Sequence, residues 1–176
     1  MIAMDVRFMN PFISAASEIL EKEVQVQVAR GQITLQKSAY TTEEITIMIG
    51  LTGQVEGMVT YGISEDTAKA FVSQMMGQEW SVLDDLAQSA IGELGNMITG
   101  LASTELSNAG YETKISPPML ILGKEVLIST LDLHRLVVSL QTPHGPVQIH
   151  LSLREVTSRS PGRGLTVISA TSRQRH

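Results

Sequence analysis

A glutamate and an asparagine in the segment GELGNMITG are the side chains of this sequence best suited to chemistry. With Ser89, the residues Glu93 and Asn96 follow an i, i+4, i+7 spacing, which aligns three side chains on one face of a helix. A carboxylate can pair with a cation, and an amide can hold a water by donating and accepting hydrogen bonds. The spacing therefore indicates a site that positions groups for reaction. The same spacing also fits solvated side chains on a helix surface, and spacing alone does not separate the two.

Other kinds of active site are disfavoured by the composition. The chain has no cysteine, which excludes thiolate nucleophiles, disulfides and cysteine-based metal sites. Its four histidines never fall at the i, i+3 or i, i+4 spacing that would place two on one helix face. There is no Ser-His-Asp arrangement and no phosphate-cradling glycine loop. We expect no metal site and no cofactor of the chain's own.

Three glycines surround the candidate pair inside an otherwise helical pattern. Gly92, Gly95 and Gly100 each cost about 1 kcal/mol relative to alanine in a helix interior. One explanation is that a partner approaches the bare backbone, and the other is that the helix packs tightly on the protein's own sheet. The spacing leaves both explanations open.

The helix that carries the pair is the longest predicted element. Ser81 and Asp84 resemble a capping box, and the helical pattern runs from there to Gly110. A helical projection predicts a polar, exposed stripe of Ser89, Glu93, Asn96, Gly100 and Ser103. It predicts a separate core face of Leu83, Leu86, Ala87, Ala90, Leu94, Met97, Ile98 and Leu101.

The remaining pattern predicts an α+β fold, in which helices pack on an antiparallel sheet. A first helix is expected over 11–22 with Asn10 as its N-cap, followed by a ribbon of two strands, VQVQVAR and QITLQK. A second helix lies between Ser64 and Gly77. Two hairpins, EEITIMIGL with EGMVTYGI and HRLVVSLQT with PVQIHLSL, recur about 90 residues apart and indicate an internal pseudo-repeat.

The distribution of charge and the hydropathy disfavour two classes of partner, nucleic acid and membrane. Residues 1–153 carry 17 acidic and 8 basic side chains, whereas residues 154–176 carry 1 and 5, so an acidic body precedes a basic tail. An acidic body disfavours nucleic acid as the main partner. No apolar run approaches the roughly 18 residues that span a bilayer, so we expect no membrane partner and a cytoplasmic protein. We predict one domain over 1–153 and a disordered tail over 154–176.

The segment SAIGELGNMITGLASTELSNAGYETKISPPMLILG resembles the CheC, CheX and FliY family of chemotaxis phosphatases. Its signature is Asp or Ser, then Glu four residues on and Asn three residues after that, here Ser89, Glu93 and Asn96. The segments NPFISAASEIL, IGLTGQVEGMVTYGISEDTAKAFVSQMMG and VQIHLSL stand in the family's order, so the resemblance covers roughly 5–153. On the first helix, Ser14 and Glu18 keep the spacing but Glu21 replaces the asparagine, which favours the CheX type with one active centre per chain.

The resemblance implies a long antiparallel sheet with helices packed on it, a homodimer, and action on phosphorylated CheY-like receiver domains. Such a receiver brings its own Mg²⁺ and a lysine beside its aspartyl phosphate. Asn96 would then hold the attacking water, Glu93 would pair with the lysine, and Ser89 would contact the partner at the edge of the stripe. Gly92 and Gly100 would keep the helix surface low for the partner. The alternative is a non-catalytic module of the same fold that binds receivers or resembles flagellar switch components.

Overall fold

A computed structural model describes residues 5–130 and 133–157. Its α-helices are α1 (Met9–Ile19), α2 (Glu65–Met76) and α3 (Asp85–Asn108). Its strands are β1 (Ala29–Arg30), β2 (Thr34–Gln36), β3 (Ala39–Thr41), β4 (Ile45–Gly53), β5 (Val55–Ile63), β6 (Thr113–Ile115), β7 (Met119–Leu122), β8 (Leu127–Ser129), β9 (Arg135–Thr142) and β10 (Gly145–Glu155). The predicted α+β class is confirmed.

The sheet has the two-fold arrangement that the pseudo-repeat predicts. The order is β1-β9-β10-β5-β4-β6, with β2 also paired to β9 and β7 also paired to β4. The hairpins β4–β5 and β9–β10 meet at the centre through an antiparallel pairing of β5 with β10. After α1, β1 and β2 pair with the second hairpin, and after α3, β6 and β7 pair with the first. The remaining short strands, β3 and β8, pair with each other in a separate two-stranded sheet. The two halves are therefore interlocked.

The N-terminal helix differs from its prediction at both ends. A 3₁₀ turn at Val6–Phe8 precedes α1, and it is Asp5 that caps this turn by accepting a hydrogen bond from the Arg7 backbone N–H at 2.9 Å. Asn10 lies inside the first turn of α1 and is not its N-cap. After α1 the chain continues as a π-helical turn over Leu20–Val24, so the predicted strand VQVQVAR is reduced to the two residues of β1.

The predicted ribbon of the first half is also wrong in its pairing. β1 and β2 pair with β9 and not with each other. Between them the Gly31 N–H donates to the Ser139 carbonyl at 2.8 Å, and a Cβ on residue 31 would lie 2.7 Å from that oxygen. Only glycine fits at this position, because the two backbones approach so closely. The alternating segments β1 and β2 therefore form their strand pairing with β9.

The helices cover the face of the central hairpins that carries alternate apolar residues. Ile45, Ile47 and Ile49 on β4 are buried, as are Val59 and Tyr61 on β5. On α2, the Ser64 side chain caps the N-terminus and Gly77 adopts a left-handed conformation just after the C-terminus, as predicted. α1 and α3 pack against each other, and α3 also packs on β4.

The last strand runs past the predicted domain boundary at 153. β10 continues to Glu155, where Arg154 pairs with Glu56 on β5 as an ion pair. The ladder and this pair keep residues 154 and 155 within the sheet. Positions 158–176, which make up most of the predicted disordered tail, lie outside the described residues. Across the part of the chain that is described, no helix is long and apolar enough to cross a membrane.

Candidate active site

Helix α3 begins after a capping residue whose side chain accepts two hydrogen bonds. The Asp84 carboxylate accepts a hydrogen bond from the Ala87 N–H at 2.9 Å and another from the Trp80 indole N–H at 3.1 Å. Asp84 is the N-cap residue, so the predicted cap at Ser81 is wrong by three positions. The helix then runs without interruption for 24 residues, and the candidate pair lies near its middle. Both side chains are therefore carried by a rigid element, away from fraying ends.

Small residues seat α3 on the sheet. A Cβ on Gly95 would lie 2.7 Å from Ile47 Cγ2, so the helix backbone approaches β4 more closely than any other residue would allow. Beside it, Tyr61 Oη and Thr99 Oγ1 are hydrogen-bonded at 2.8 Å, and Thr99 Oγ1 donates to the Gly95 carbonyl at 2.8 Å. These contacts fix which side of the helix faces inward.

That inward side coincides only in part with the predicted core face. Ala87, Leu94 and Ile98 are buried as expected, and Leu83, Ala90, Met97 and Leu101 are half-buried against the core, but Leu86 is 53% exposed. The buried side of α3 consists of Ala87, Ile91, Gly92, Leu94, Gly95, Ile98, Thr99, Ala102 and Leu106. The close approach at Gly95 rotates the helix, because the glycines allow contact where a row of leucines would not.

The predicted polar stripe does face outward. Ser89 and Glu93 are exposed, whereas Asn96, Gly100 and Ser103 are half-buried. Within residues 5–130 and 133–157, the side chains of Ser89, Glu93 and Asn96 form no hydrogen bond or ion pair with the rest of the chain. Ser103 differs, because its Oγ lies 2.6 Å from Thr113 Oγ1 on β6. Three polar side chains of the stripe are thus available to bond with another molecule, whereas Ser103 already has a hydrogen-bonding partner.

An open groove runs beside the first half of this stripe. It is lined by Ser89, Gly92 and Glu93 together with Asp85, Gln88, Pro118 and Leu120. Its far wall comes from the segment that leads into β7, which sequence reasoning did not assign to the site. The Pro117-Pro118 pair followed by an apolar run is the signal that could have indicated a rigid wall there.

The glycines of the stripe have different surroundings. Gly92 is buried, and a Cβ on it would lie 3.2 Å from Leu120 Cδ1 and 3.8 Å from Pro118 Cγ. Packing within the chain therefore accounts for Gly92, and the expectation that its backbone is open to a partner needs that correction. Gly100 has room, since its nearest neighbour would be Ile115 Cδ1 at 4.0 Å. Packing within the chain thus explains Gly92, whereas Gly100 leaves room for a partner.

The first helix lacks a comparable pair. Ser14 and Glu18 are exposed on α1, and Glu21 is exposed in the π-helical turn that follows. A second carboxylate in this position lacks the N–H donors that an amide offers. Nor does the described part of the chain contain a cluster of three or more His, Asp or Glu side chains that could hold a metal ion.

A second polar cluster lies on the opposite face of the sheet. Arg135 is buried, hydrogen-bonds His150 Nδ1 through its Nη1, and donates through its Nε to the Lys37 carbonyl at 2.8 Å. Tyr40 stacks on the His150 ring with 4.2 Å between centroids, and the Arg135 guanidinium lies 4.1 Å from the Tyr40 ring centre. Burial, followed by the nearby Arg135 charge, lowers the pKa of His150 to about 4. The cluster ties β3 to the sheet.

Comparison with known proteins finds the same fold and related sequences. Residues 45–141 match the family described as "Chemotaxis phosphatase CheX". The CheY-P phosphatase CheX of Thermotoga maritima is 34% identical over 128 residues, which are 72% of this chain and 83% of that protein. The crystal structure of a chemotaxis protein CheX from Desulfovibrio desulfuricans superposes with a TM-score of 0.77 at 25% identity, covering 84% of this chain and 99% of that one.

A complex shares the fold at lower identity. The CheX-CheY-BeF3-Mg²⁺ complex from Borrelia burgdorferi contains a chain that superposes with a TM-score of 0.69 at 24% identity, covering 84% of this chain and 98% of that one.

Proposed function

This chain belongs to the CheX family of chemotaxis phosphatases, and from that premise we propose that it hydrolyses the aspartyl phosphate of a CheY-like receiver domain. The observation that carries the proposal is the pair Glu93 and Asn96. Both side chains face outward from the middle of a rigid helix, and neither has a hydrogen-bonding partner in the described chain. Groups held in this way are ready to engage another molecule.

The reaction needs little from the phosphatase beyond position. A water attacks phosphorus, the bond from phosphorus to the aspartyl oxygen breaks, and phosphate and a free carboxylate result. Phosphoryl transfer passes through a loose transition state, so catalysis depends on alignment and on charge stabilisation. Aligning a nucleophile that would otherwise diffuse freely is one of the larger contributions an enzyme can make.

Asn96 aligns the water. Its amide carbonyl accepts a hydrogen bond from the water, and its NH₂ group donates to an oxygen nearby, so one side chain fixes both position and orientation. Asn96 is half-buried, which limits its rotamers and favours a single orientation. The receiver supplies the Mg²⁺ and the charge that stabilise the phosphoryl group, and this chain needs no cofactor of its own for the step.

Glu93 sets the docking register. Its exposed carboxylate lies one helical turn before Asn96 and pairs with the receiver's lysine, which fixes how far Asn96 enters the receiver's site. Ser89 adds a contact one turn earlier, on the wall of the groove that also includes Gly92. Gly100 keeps the helix surface low beyond Asn96, where the chain leaves room for a partner.

Phosphate release from a Mg²⁺-loaded, phosphorylated CheY receiver tests this function. The rate of phosphate release with this protein present should exceed the rate at which the receiver loses its phosphate alone. When the receiver is in large molar excess, the rate should increase in proportion to the concentration of this protein. A non-catalytic binding module would bind the receiver yet leave the release rate unchanged or lower it, and that result would contradict the proposal.

We also expect the chain to form a homodimer, as the family resemblance implies. Both edges of the sheet expose large apolar side chains, Leu35 on β2 and Met119 on β7, and such edges favour association. Light scattering during size-exclusion chromatography measures the mass directly, and a single monomer peak at working concentration would contradict a dimer.

A further inference from the structure

The outward face of α3 carries apolar side chains around Glu93. Leu86 is 53% exposed and lies seven residues before Glu93, which places it on nearly the same side of the helix, about 10 Å along the axis. Val82, just before the helix, is 63% exposed. Ala90 and Met97, which are half-buried because they also pack against the core, complete a ridge at helical spacing with Leu86 and Glu93.

We propose that this ridge, defined as Leu86, Ala90, Glu93 and Met97, is the docking surface for the receiver and that Leu86 is its apolar anchor. The proposal rests on the proposed function and deepens it, because it assigns affinity and catalysis to different residues. Leu86 would bury its side chain against the receiver beside the phosphorylation site, while Asn96 would act on the phosphoryl group.

The occupant follows from continuity with Glu93 and from charge. Glu93 is the centre of the ridge, so a partner that engages its carboxylate also covers the turns on either side. Asp84 and Asp85 are exposed next to Leu86, which gives the ridge an acidic border. The surface therefore fits a receiver face on which an apolar side chain lies about 10 Å from the lysine, with basic residues around it.

An exposed leucine at this position is not needed for the fold. The helix is seated by Gly95, Thr99 and their neighbours on the opposite side, and Leu86 is absent from the buried core. Side chains that lose their contact with water near the centre of an interface contribute more to binding than side chains at its solvated rim. Leu86 is therefore free to contact another surface without disturbing the packing of α3.

The test separates binding from turnover. Binding of a Mg²⁺- and BeF₃-loaded CheY receiver is measured by calorimetry, and phosphate release from the phosphorylated receiver is measured over a range of receiver concentrations. Leu86→Ser should raise both Kd and KM about tenfold with kcat unchanged, and Leu86→Met should restore both. Leu127→Ser is the matched control, because Leu127 is 70% exposed on β8, which pairs with β3, and it should change neither.

The outcomes distinguish the two proposals. If wild type binds the receiver without accelerating release, the phosphatase function fails, while the change in Kd still tests the ridge. If Leu86→Ser binds and turns over like wild type, the ridge is not the docking surface. If Leu86→Ser changes only the chain's oligomeric mass and leaves Kd unchanged, Leu86 lies between copies of the chain and the proposal is overturned. If wild type does not bind the receiver at all, both proposals fail.

Discussion

Gly95 on α3 lies directly against Ile47 on β4: a Cβ on residue 95 would be 2.7 Å from Ile47 Cγ2. This contact decides which side of α3 faces the sheet, and so decides that Glu93 faces away from it. A helix seated by a leucine at this point would stand farther from the sheet, and the polar stripe would lose its fixed orientation. The position of the candidate site therefore depends on a residue that takes no part in chemistry.

Alanine substitutions at Gly95 and Gly100 should have opposite effects on stability. Gly95→Ala should lower the free energy of unfolding by about 1–3 kcal/mol, because the new methyl group meets Ile47. Gly100→Ala should raise it by about 0.5–1 kcal/mol, because nothing lies closer than 4.0 Å and alanine favours the helix. Urea denaturation measures both, and equal effects would contradict the packing described for α3.

Gly92→Ala should be destabilising only while Leu120 is present. The new Cβ would lie 3.2 Å from Leu120 Cδ1, so the leucine must shift. In a Leu120→Ala background that neighbour is gone, and Gly92→Ala should be neutral or stabilising there through its better helix propensity. The four proteins of this cycle are compared by urea denaturation, and a coupling of zero would mean that Gly92 is not held by packing.

Tyr61 and Thr99 share a buried hydrogen bond, but removing one hydroxyl should cost less stability than removing the other. Tyr61→Phe leaves Thr99 Oγ1 still donating to the Gly95 carbonyl and should cost about 1 kcal/mol. Thr99→Val leaves the fully buried Tyr61 hydroxyl without its partner and should cost about 1–3 kcal/mol. Thermal unfolding of the two variants gives the order, and a larger loss for Tyr61→Phe would contradict this assignment.

His150 should make the fold less stable in mild acid. Because burial and Arg135 lower its pKa in the folded state to about 4 from an ordinary value of 6.5, the unfolded chain binds the proton more readily between those values. The contribution of His150 is complete above pH 6.5 and is lost as the pH falls toward 4, by up to about 3 kcal/mol.

The variant His150→Gln isolates that contribution. The difference in unfolding free energy between wild type and this variant, followed from pH 7.5 to pH 4, should change across that window and should be flat above it. A constant difference at every pH would show that His150 titrates alike in the folded and unfolded chain.

The sequence was sufficient for elements whose pattern is local. The hairpin β4–β5 follows from two extended segments joined by a glycine-containing turn, and α2 follows from its Ser64 cap and its Gly77 terminator. The outward direction of Glu93 was also correct. These features depend on residues a few positions apart, so a single stretch of chain contains the whole signal.

The errors concern contacts between distant segments. The apolar arc of α3 predicts that Leu86 lies in the core, yet the close approach of Gly95 to Ile47 centres the buried side elsewhere and leaves Leu86 exposed, while Leu94 stays buried. Likewise the segment after α1 pairs with β9, more than 100 residues away, and not with its neighbour. Glycines inside the helix were the available signal for the true packing side, because small residues allow the closest approach.

The roles of Asn96 and Glu93 can be separated by single-turnover hydrolysis of phosphorylated, Mg²⁺-loaded CheY receiver with the chain in excess. At saturation, Asn96→Ala should slow hydrolysis at least about a hundredfold, toward the receiver's own rate, with the half-saturating concentration unchanged. Glu93→Gln should instead raise the half-saturating concentration about tenfold and largely keep the saturated rate. Circular dichroism confirms that both variants are folded.

This measurement tests most directly whether Asn96 positions the attacking water. We expect that Asn96→Ala still binds the phosphorylated receiver but no longer accelerates its hydrolysis. A saturated rate for Asn96→Ala equal to that of wild type would contradict it, because the water would then be held by some other group.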